Sequence, residues 1–222
     1  MKCTNDFAQN PFSLEGRKIL VTGASSGIGK AIATTASRFG AHVALLARSC
    51  EKLDETMKEL EGAGHKSLSL DLFAEDSVVE LALADFAEDW GNPDGFVHSA
   101  GVFAISPLRG VTKEEAERIF HVNHYVFLSL SRILAKGKKP VLKSAVAIAS
   151  AAGIKGNAGL SLYSASKSAL ISSVRCLALE YASKNVRFNC ICPGWVDTPM
   201  LKTAKMTFGD ESFEKISLKP IL

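Results

Sequence analysis

The sequence predicts an α/β fold in three layers, with helices on both faces of a doubly wound parallel sheet. Six short apolar runs alternate along the chain with longer segments of helical periodicity. The runs are apolar throughout, which is typical of parallel strands covered on both faces. A glycine-rich loop separates the first run from the first helical segment, as in Rossmann-type dinucleotide-binding domains.

Each element has its own pattern. The strands are predicted at residues 18–22, 42–47, 66–70, 95–98, 144–149 and 186–191. The helices are predicted at residues 30–39, 50–61, 75–90, 111–136 and 162–183, from apolar positions three and four residues apart. Right-handed crossovers would join these strands into one sheet.

Composition favours a single domain over residues 1–222, with an irregular arm at residues 1–16. The net charge of +3 is too small to indicate nucleic-acid binding, and every apolar run is too short for a membrane span. No apolar block follows a basic start, so we expect no secretory signal and a cytoplasmic location with the five cysteines reduced. Cys190 and Cys192 lack further ligand partners nearby, so no metal site is expected.

The glycine loop at residues 22–29 indicates a phosphate site, because it connects a strand to a helix N-terminus. A P-loop is the competing interpretation. It fails because Ala31 replaces the required Ser or Thr, and because five residues instead of four separate Gly23 from Gly29. The loop residues expected to bind a cofactor are Gly23, Ser25, Ser26, Gly27, Ile28 and Gly29.

Arg48 follows the second strand, where a dinucleotide's adenosine ribose would lie. An acidic residue there would bind the 2′-hydroxyl of NAD, whereas a basic residue accommodates the 2′-phosphate of NADP. The alternative is a solvated loop arginine. We favour NADP(H) over NAD(H), since arginine suits phosphate geometry.

Ser150, Tyr163 and Lys167 form the candidate reactive group. Ser150 ends the fifth apolar run, and Lys167 lies one helical turn beyond Tyr163. A nearby ammonium is expected to lower the pKa of the phenol, and the serine hydroxyl could hold a substrate oxygen. Taken singly, each residue has a plainer interpretation as a cap or a packing residue.

The whole set resembles the short-chain dehydrogenase/reductase family, and in particular its 3-oxoacyl-acyl-carrier-protein reductase-like members. The matching positions occur in family order over nearly the whole chain: residues 22–29, Asp71, Ala100-Gly101, Asn123, Ser150, residues 163–167 and Pro193-Gly194. The resemblance implies an NAD(P)-dependent oxidoreductase that transfers hydride between nicotinamide and a ketone or secondary alcohol, with a 3-oxoacyl thioester as one candidate.

The resemblance also implies roles for individual residues. Tyr163 would be the general acid or base, Ser150 would bind the reacting oxygen, Lys167 would hold the nicotinamide ribose, and Asn123 would anchor a relay water. The implied cofactor-binding residues outside the glycine loop are Arg48, Asp71, Leu72, Ala100, Gly101, Tyr163, Lys167, Pro193, Gly194, Val196 and Thr198.

Two departures from the family pattern stand out. His98-Ser99 replaces the usual pair of asparagines, and we expect His98 to be a hydrogen-bonded core residue. The family usually continues through a substrate lid, a further helix and a seventh strand, whereas this sequence ends at Leu222. We therefore expect a shortened lid at residues 197–222 and a sheet of six strands without the seventh, which would leave residues 186–191 at an edge.

Partners are less constrained than the site. Apolar residues expected around the substrate are Val102, Phe103, Ala104, Ile105, Ala151, Ala152, Ile154 and Trp195. An acyl carrier protein could use a basic patch at Lys136, Lys138, Lys139 and Lys184, unless this patch is only a solvated surface. The resemblance implies a homodimer or homotetramer through the helices of Asn123 and Tyr163. The alternative function is a non-catalytic dinucleotide-binding protein; a sugar-nucleotide epimerase would need a larger substrate domain.

Overall fold

The computed structural model describes residues 11–202 and contains one parallel sheet. The strands are β1 (Lys18–Thr22), β2 (His42–Ala47), β3 (Lys66–Ser69), β4 (Gly95–His98), β5 (Ser144–Ile148) and β6 (Arg187–Ile191). Their order is β3-β2-β1-β4-β5-β6, and every neighbouring pair is parallel. The predicted fold class and the six strand positions are confirmed.

Helices cover both faces of the sheet. They are α1 (Gly27–Arg38), α2 (Cys50–Met57), α3 (Asp76–Trp90), α4 (Lys113–Phe120), α5 (Val126–Leu134) and α6 (Ser161–Glu180). Successive residues of β1 enter different cores, because side chains alternate along a strand. Val21 packs in the cluster that contains Ala33 of α1, and Leu20 packs in the cluster that contains Phe127 of α5. These two cores make the three layers.

The helix predicted over residues 111–136 is wrong in one respect, since the structure interrupts it. Thr112 caps α4 by accepting a hydrogen bond from the Glu115 N–H, and a five-residue π turn at His121–Tyr125 separates α4 from α5. In the π turn the Val126 N–H bonds to the His121 carbonyl, five residues back. A tertiary contact accompanies the turn: a ring nitrogen of His98 hydrogen-bonds to the Val122 carbonyl, which lies inside the turn.

The strand order places the site. The strand order reverses its direction between β1 and β4. In doubly wound sheets ligands bind in the crevice at the carboxyl ends of the two strands at such a reversal, so this crevice is the expected ligand site. β6 is an edge of the sheet within residues 11–202, as expected. Of the predicted lid, residues 199–202 are helical, and residues 203–222 lie outside the described part, as do residues 1–10 of the predicted arm. None of the described helices is long and apolar enough to cross a membrane.

Candidate active site

A cavity of about 940 Å³ extends along the carboxyl ends of the strands. Nearly all of the residues predicted from the sequence line it: Gly23, Ser25, Ser26, Gly27, Ile28, Arg48, Asp71, Leu72, Ala100, Gly101, Ser150, Tyr163, Lys167, Pro193, Gly194, Val196 and Thr198. Gly29 and Asn123 are the two exceptions. Each lies against a residue that lines the cavity, Gly29 against Gly23 and Asn123 against Val102.

Ser150, Tyr163 and Lys167 converge at one end of the cavity. Ser150 follows β5 and caps a short 3-10 turn by accepting a hydrogen bond from the Ala152 N–H at 3.1 Å. Its hydroxyl also hydrogen-bonds to the Tyr163 phenol. Lys167 lies one turn beyond Tyr163 in α6 and is buried. Its Nζ donates to the Ile148 carbonyl at 2.8 Å. One strand-end position and two helix positions therefore bring a hydroxyl, a phenol and an ammonium together.

Burial dominates the ionisation of this group. It raises the pKa of the Tyr163 phenol, and the hydrogen bond to Ser150 acts in the opposite direction. The expected lowering by Lys167 is absent from this structure, in which Nζ lies 5.9 Å from the phenol ring centroid. Burial also lowers the pKa of Lys167 to about 8, so its ammonium loses its proton more readily than a solvated lysine does.

Asn123 stands in the π turn and is completely buried. Its Oδ1 accepts from the Val102 N–H at 2.8 Å, while its Nδ2 donates to the Val102 carbonyl and to Ser166 Oγ, both at 3.0 Å. The asparagine thus ties the loop after β4 to α6. A β-carbon built on Gly101 would lie 3.3 Å from Asn123 Oδ1 and 3.6 Å from Lys167 Nζ, so this wall is tightly packed.

The glycine loop leaves the start of α1 open to a ligand. Ser26 at the N-cap makes no side-chain capping hydrogen bond, and the first turn of α1 has no acidic residue. These features suit a phosphate, which the unpaired N–H groups and the helix dipole would attract. Gly29 serves the loop differently, because a β-carbon there would lie 2.3 Å from the Gly23 carbonyl oxygen. The residues present therefore fit a nicotinamide dinucleotide.

Thr22 and His98 join the glycine loop to the end of β4. His98 Nε2 faces the Val122 carbonyl at 3.2 Å, and because a carbonyl only accepts, Nε2 carries the proton. Nδ1 therefore accepts from the Thr22 hydroxyl at 3.0 Å. The same hydroxyl oxygen accepts from the Ser99 and Ala100 N–H groups, each at 3.2 Å. His98 is fully buried with both nitrogens bonded, which confirms the expectation from the sequence.

Burial keeps His98 neutral. It lowers the pKa of the imidazole to about 3, and the charge of Lys167 acts in the same direction. The hydrogen bond to Val122 acts on the pKa in the opposite direction. A neutral ring is what the donor and acceptor arrangement requires, since a protonated ring could not accept from Thr22.

The far end of the cavity carries cationic groups. Arg48 is exposed at the end of β2, and Ser49 caps α2 by accepting a hydrogen bond from the Lys52 N–H. Arg48, Ser49 and Lys52 all line the cavity, whereas Glu51 does not. Beyond them, Asp71 accepts from the Phe73 N–H at 3.0 Å and so shapes the turn after β3. Lys52 was not predicted from the sequence, although its place in the first turn of the second helix could have indicated it.

The substrate end is mostly apolar, as expected. Val102, Phe103, Ala151, Ala152 and Trp195 line the cavity, whereas Ala104, Ile105 and Ile154 do not. Phe103 contacts the Tyr163 ring edge-on, with 5.0 Å between centroids. Lys155 and Asn157 also line this end, and sequence reasoning missed both.

The basic patch expected for a carrier protein lies elsewhere. Lys136, Lys138 and Lys139 precede β5, and Lys184 precedes β6, so all four stand at the amino ends of parallel strands. The cavity lies at the carboxyl ends, about 17 Å away along a five-residue strand. The patch therefore does not surround the cavity mouth. Among residues 11–202, no three His, Cys, Asp or Glu side chains are grouped to hold a metal ion.

A doubly wound sheet with a glycine loop at a helix N-terminus and a serine–tyrosine–lysine group is typical of a dinucleotide-binding oxidoreductase. Comparisons with known proteins give the family. The short chain dehydrogenase model matches residues 17–207. The chain therefore belongs to the short-chain dehydrogenase/reductase family and is an NAD(P)-dependent oxidoreductase.

Relatives in this family include several ketoreductases. The chain is 32% identical over 208 residues to a 3-oxoacyl-acyl-carrier-protein reductase of Thermotoga maritima, which covers 92% of this chain and 84% of the relative. It is 31% identical over 217 residues to versicolorin reductase of Emericella nidulans, and the match covers 92% of this chain and 81% of that relative. Among solved structures, levodione reductase has a TM-score of 0.82 at 29% identity, covering 91% of this chain and 81% of that one.

Proposed function

We propose that the protein reduces a ketone, or oxidises the corresponding secondary alcohol, with NADP(H). The observation that carries this proposal is the hydrogen-bonded pair of Ser150 and Tyr163 beside the buried Lys167. The pair lies in the same cavity as the open N-terminus of α1. A substrate carbonyl that replaces the tyrosine as the partner of Ser150 would be held beside a proton donor.

Each of the four polar residues of the site has its own proposed role. The Tyr163 hydroxyl gives its proton to the carbonyl oxygen during reduction, and Ser150 orients that oxygen with a hydrogen bond. Lys167 would hold the nicotinamide ribose, and Asn123 fixes the loop after β4 against α6. The bound nicotinamide supplies the hydride. Acid–base assistance of this kind contributes about 10²–10⁴ in rate.

The preference for NADP(H) rests on the residues that follow β2. The 2′-phosphate would meet the Arg48 guanidinium, the Lys52 ammonium and the N-terminus of α2. No acidic residue follows β2 directly in this sequence, so the partner of an NAD 2′-hydroxyl is missing there. Solved structures similar to this chain include a polyketide ketoreductase with NADPH, at a TM-score of 0.82 and 29% identity.

The substrate is proposed to be largely apolar around its carbonyl, as the lining of the substrate end indicates. A 3-oxoacyl thioester fits this description, and the relative in Thermotoga maritima acts as a 3-oxoacyl-acyl-carrier-protein reductase. The placement of the lysine patch gives no support to carrier docking at that surface. We also propose a homodimer or homotetramer through α4, α5 and α6, and a cytoplasmic location.

The function is tested with a panel of ketones and 3-oxoacyl thioesters, following the absorbance of NADPH and of NADH. We expect turnover with NADPH. Arg48→Ala should raise the KM for NADPH about 10- to 100-fold, the effect of one charged hydrogen bond, and leave NADH nearly unchanged. Arg17→Ala is the control, because Arg17 is exposed before β1 at the opposite edge of the sheet and does not line the cavity. Equal effects of Arg48→Ala on both nucleotides would contradict the NADP assignment.

A further inference from the structure

A buried serine joins the two loops that form the substrate end of the cavity. Ser106 lies in the loop after β4 and is 6% exposed. Its N–H donates to the Gly159 carbonyl at 2.8 Å, and Gly159 lies in the loop that follows β5 and leads into α6. The Ser106 hydroxyl donates to a carboxylate oxygen of Glu115, in the first turn of α4. Ser106 thus connects three segments of the chain, and these two hydrogen bonds are called the Ser106 clasp.

The Ser106 clasp holds one end of a short segment that lines the cavity. Asn123 holds the other end, because its side chain bonds to both the N–H and the carbonyl of Val102. Phe103 lies between these two anchors and lines the cavity. Its ring meets the Tyr163 ring edge-on, with 5.0 Å between the centroids. The position of Phe103 against the phenol therefore depends on an anchor on each side, of which Ser106 provides one.

The loop after β5 meets the other loop directly before the helix that carries Tyr163. Gly159 precedes Leu160, which is the N-cap of α6 and is 2% exposed. Tyr163 is the third residue of that helix and so lies in its first turn. Gly159 has a φ of +76°, and a β-carbon on it would lie 3.2 Å from Ile105 Cγ2. The two loops are thus packed closely beside the start of α6, where a displacement of either would move the phenol or the ring that contacts it.

We propose that Ser106 is a positioning residue for the proton transfer, which acts through Phe103 and the start of α6 on the placement of Tyr163. This inference rests on the proposed function, since it takes Tyr163 as the proton donor. Ser106 does not line the cavity, so it acts without touching the substrate. A misplacement of about 1 Å at a reacting group can cost about 10²-fold in rate. The glycine loop and Arg48 follow β1 and β2, so the same displacement should leave NADPH binding intact.

The test breaks the hydroxyl bond of the Ser106 clasp from either side. Ser106→Ala and Glu115→Ala each remove it, whereas Glu115→Gln keeps an oxygen that can accept from the serine. Ser37→Ala is the control, because Ser37 is 4% exposed and does not line the cavity. Its hydroxyl donates to the Thr34 carbonyl and accepts from the Glu61 N–H, so a buried serine with two partners is lost there too. We would measure kcat and KM for ethyl 3-oxobutanoate, and KM for NADPH.

We expect Ser106→Ala and Glu115→Ala to lower kcat/KM for the ketone about 10- to 100-fold, the range of one charged hydrogen bond, and to leave the KM for NADPH unchanged. Glu115→Gln and Ser37→Ala should keep all constants. The double variant should lose no more than the larger single loss, because both changes remove the same bond. A rate for Ser106→Ala equal to that for Ser37→Ala, or losses that multiply in the double variant, would overturn the proposal. Glu115 is half-buried, so Glu115→Ala decides the question if Ser106→Ala does not fold.

Hydrogen–deuterium exchange separates this inference from the proposed function, because it needs no turnover. The Ser106 N–H is protected by its bond to the Gly159 carbonyl. In Ser106→Ala and Glu115→Ala the amide of residue 106 should exchange about 10- to 100-fold faster, and in Ser37→Ala it should not. Faster exchange would support the Ser106 clasp even if every ketone failed as a substrate, whereas unchanged exchange would overturn it. Ketone turnover that is equal in all variants would leave the proposed function standing and remove the role of Ser106.

Discussion

Replacing Thr22 by valine removes one hydroxyl that serves three partners. Valine has the shape of threonine and suits a strand, so the packing of β1 is kept. The substitution leaves His98 Nδ1 and the N–H groups of Ser99 and Ala100 without this partner. His98 is fully buried, whereas Ser99 and Ala100 are half-buried and can find water more easily.

The expected loss of stability follows from how exposed these three polar groups are. An unsatisfied buried polar group costs about 1–3 kcal/mol, and the two half-buried N–H groups cost less than this each. We therefore expect Thr22→Val to lower the free energy of unfolding by about 2–4 kcal/mol. With a urea dependence of about 2–3 kcal/mol/M, the unfolding midpoint should fall by roughly 1–2 M.

Thr22→Ser is the matched control, because it keeps the hydroxyl and loses one buried methyl worth about 1 kcal/mol. The assay is urea unfolding followed by tryptophan fluorescence, with the NADPH affinity of each folded variant measured beside it. Thr22→Val should also weaken NADPH binding, since Ser99 and Ala100 both line the cavity. A Thr22→Val midpoint equal to that of Thr22→Ser would refute the three-partner interpretation.

Three further predictions concern the site. Tyr163→Phe should lose at least about 10²-fold in turnover and keep NADPH binding, and fluorescence titration beside the rate assay would expose any loss of fold. The pKa of His98 is lowered from 6.5 to about 3, so the unfolded chain takes up a proton that the folded chain refuses, and stability should fall as pH falls from 6.5 towards 3. His98→Asn should flatten that slope, and urea midpoints between pH 5 and 7 that stay parallel for both proteins would count against it. Gly29→Ala should weaken NADPH binding, because its β-carbon would lie 2.3 Å from the Gly23 carbonyl, whereas Gly156→Ala has nothing within 4 Å and should be silent.

The sheet and most of the cavity lining could be predicted because they depend on local patterns. Buried parallel strands are apolar without interruption, and parallel strands must present their carboxyl ends along one edge. By that rule the sequence predicts that Arg48, Asp71 and Ser150 lie along one edge of the sheet, and all three line the cavity. The same rule, applied to Lys138 and Lys184, would have shown that the basic patch faces the opposite edge.

The remaining features depend on tertiary contacts that leave no local signal. Residues 121–125 contain neither glycine nor proline, so nothing in their sequence predicts a π turn. Inside the turn, the Val122 carbonyl hydrogen-bonds to His98, which lies in a strand 24 residues earlier in the chain. Lys155 was missed for a similar reason, since a lysine in a loop is usually solvated and only the folded wall of the cavity shows its position.

The π turn also has a consequence for how the chain tolerates insertions and deletions. A π turn holds one residue more than the α-helical turn that it replaces. Deleting one residue within 121–125 would therefore let α4 and α5 join as a continuous α-helix, with Ile119 and Phe127 still facing the core. Such a shortened chain would keep its fold and lose the register that holds Asn123 against Val102 and Ser166. The extra residue is thus one that the contacts of Asn123 with Val102 and Ser166 require and the helix does not.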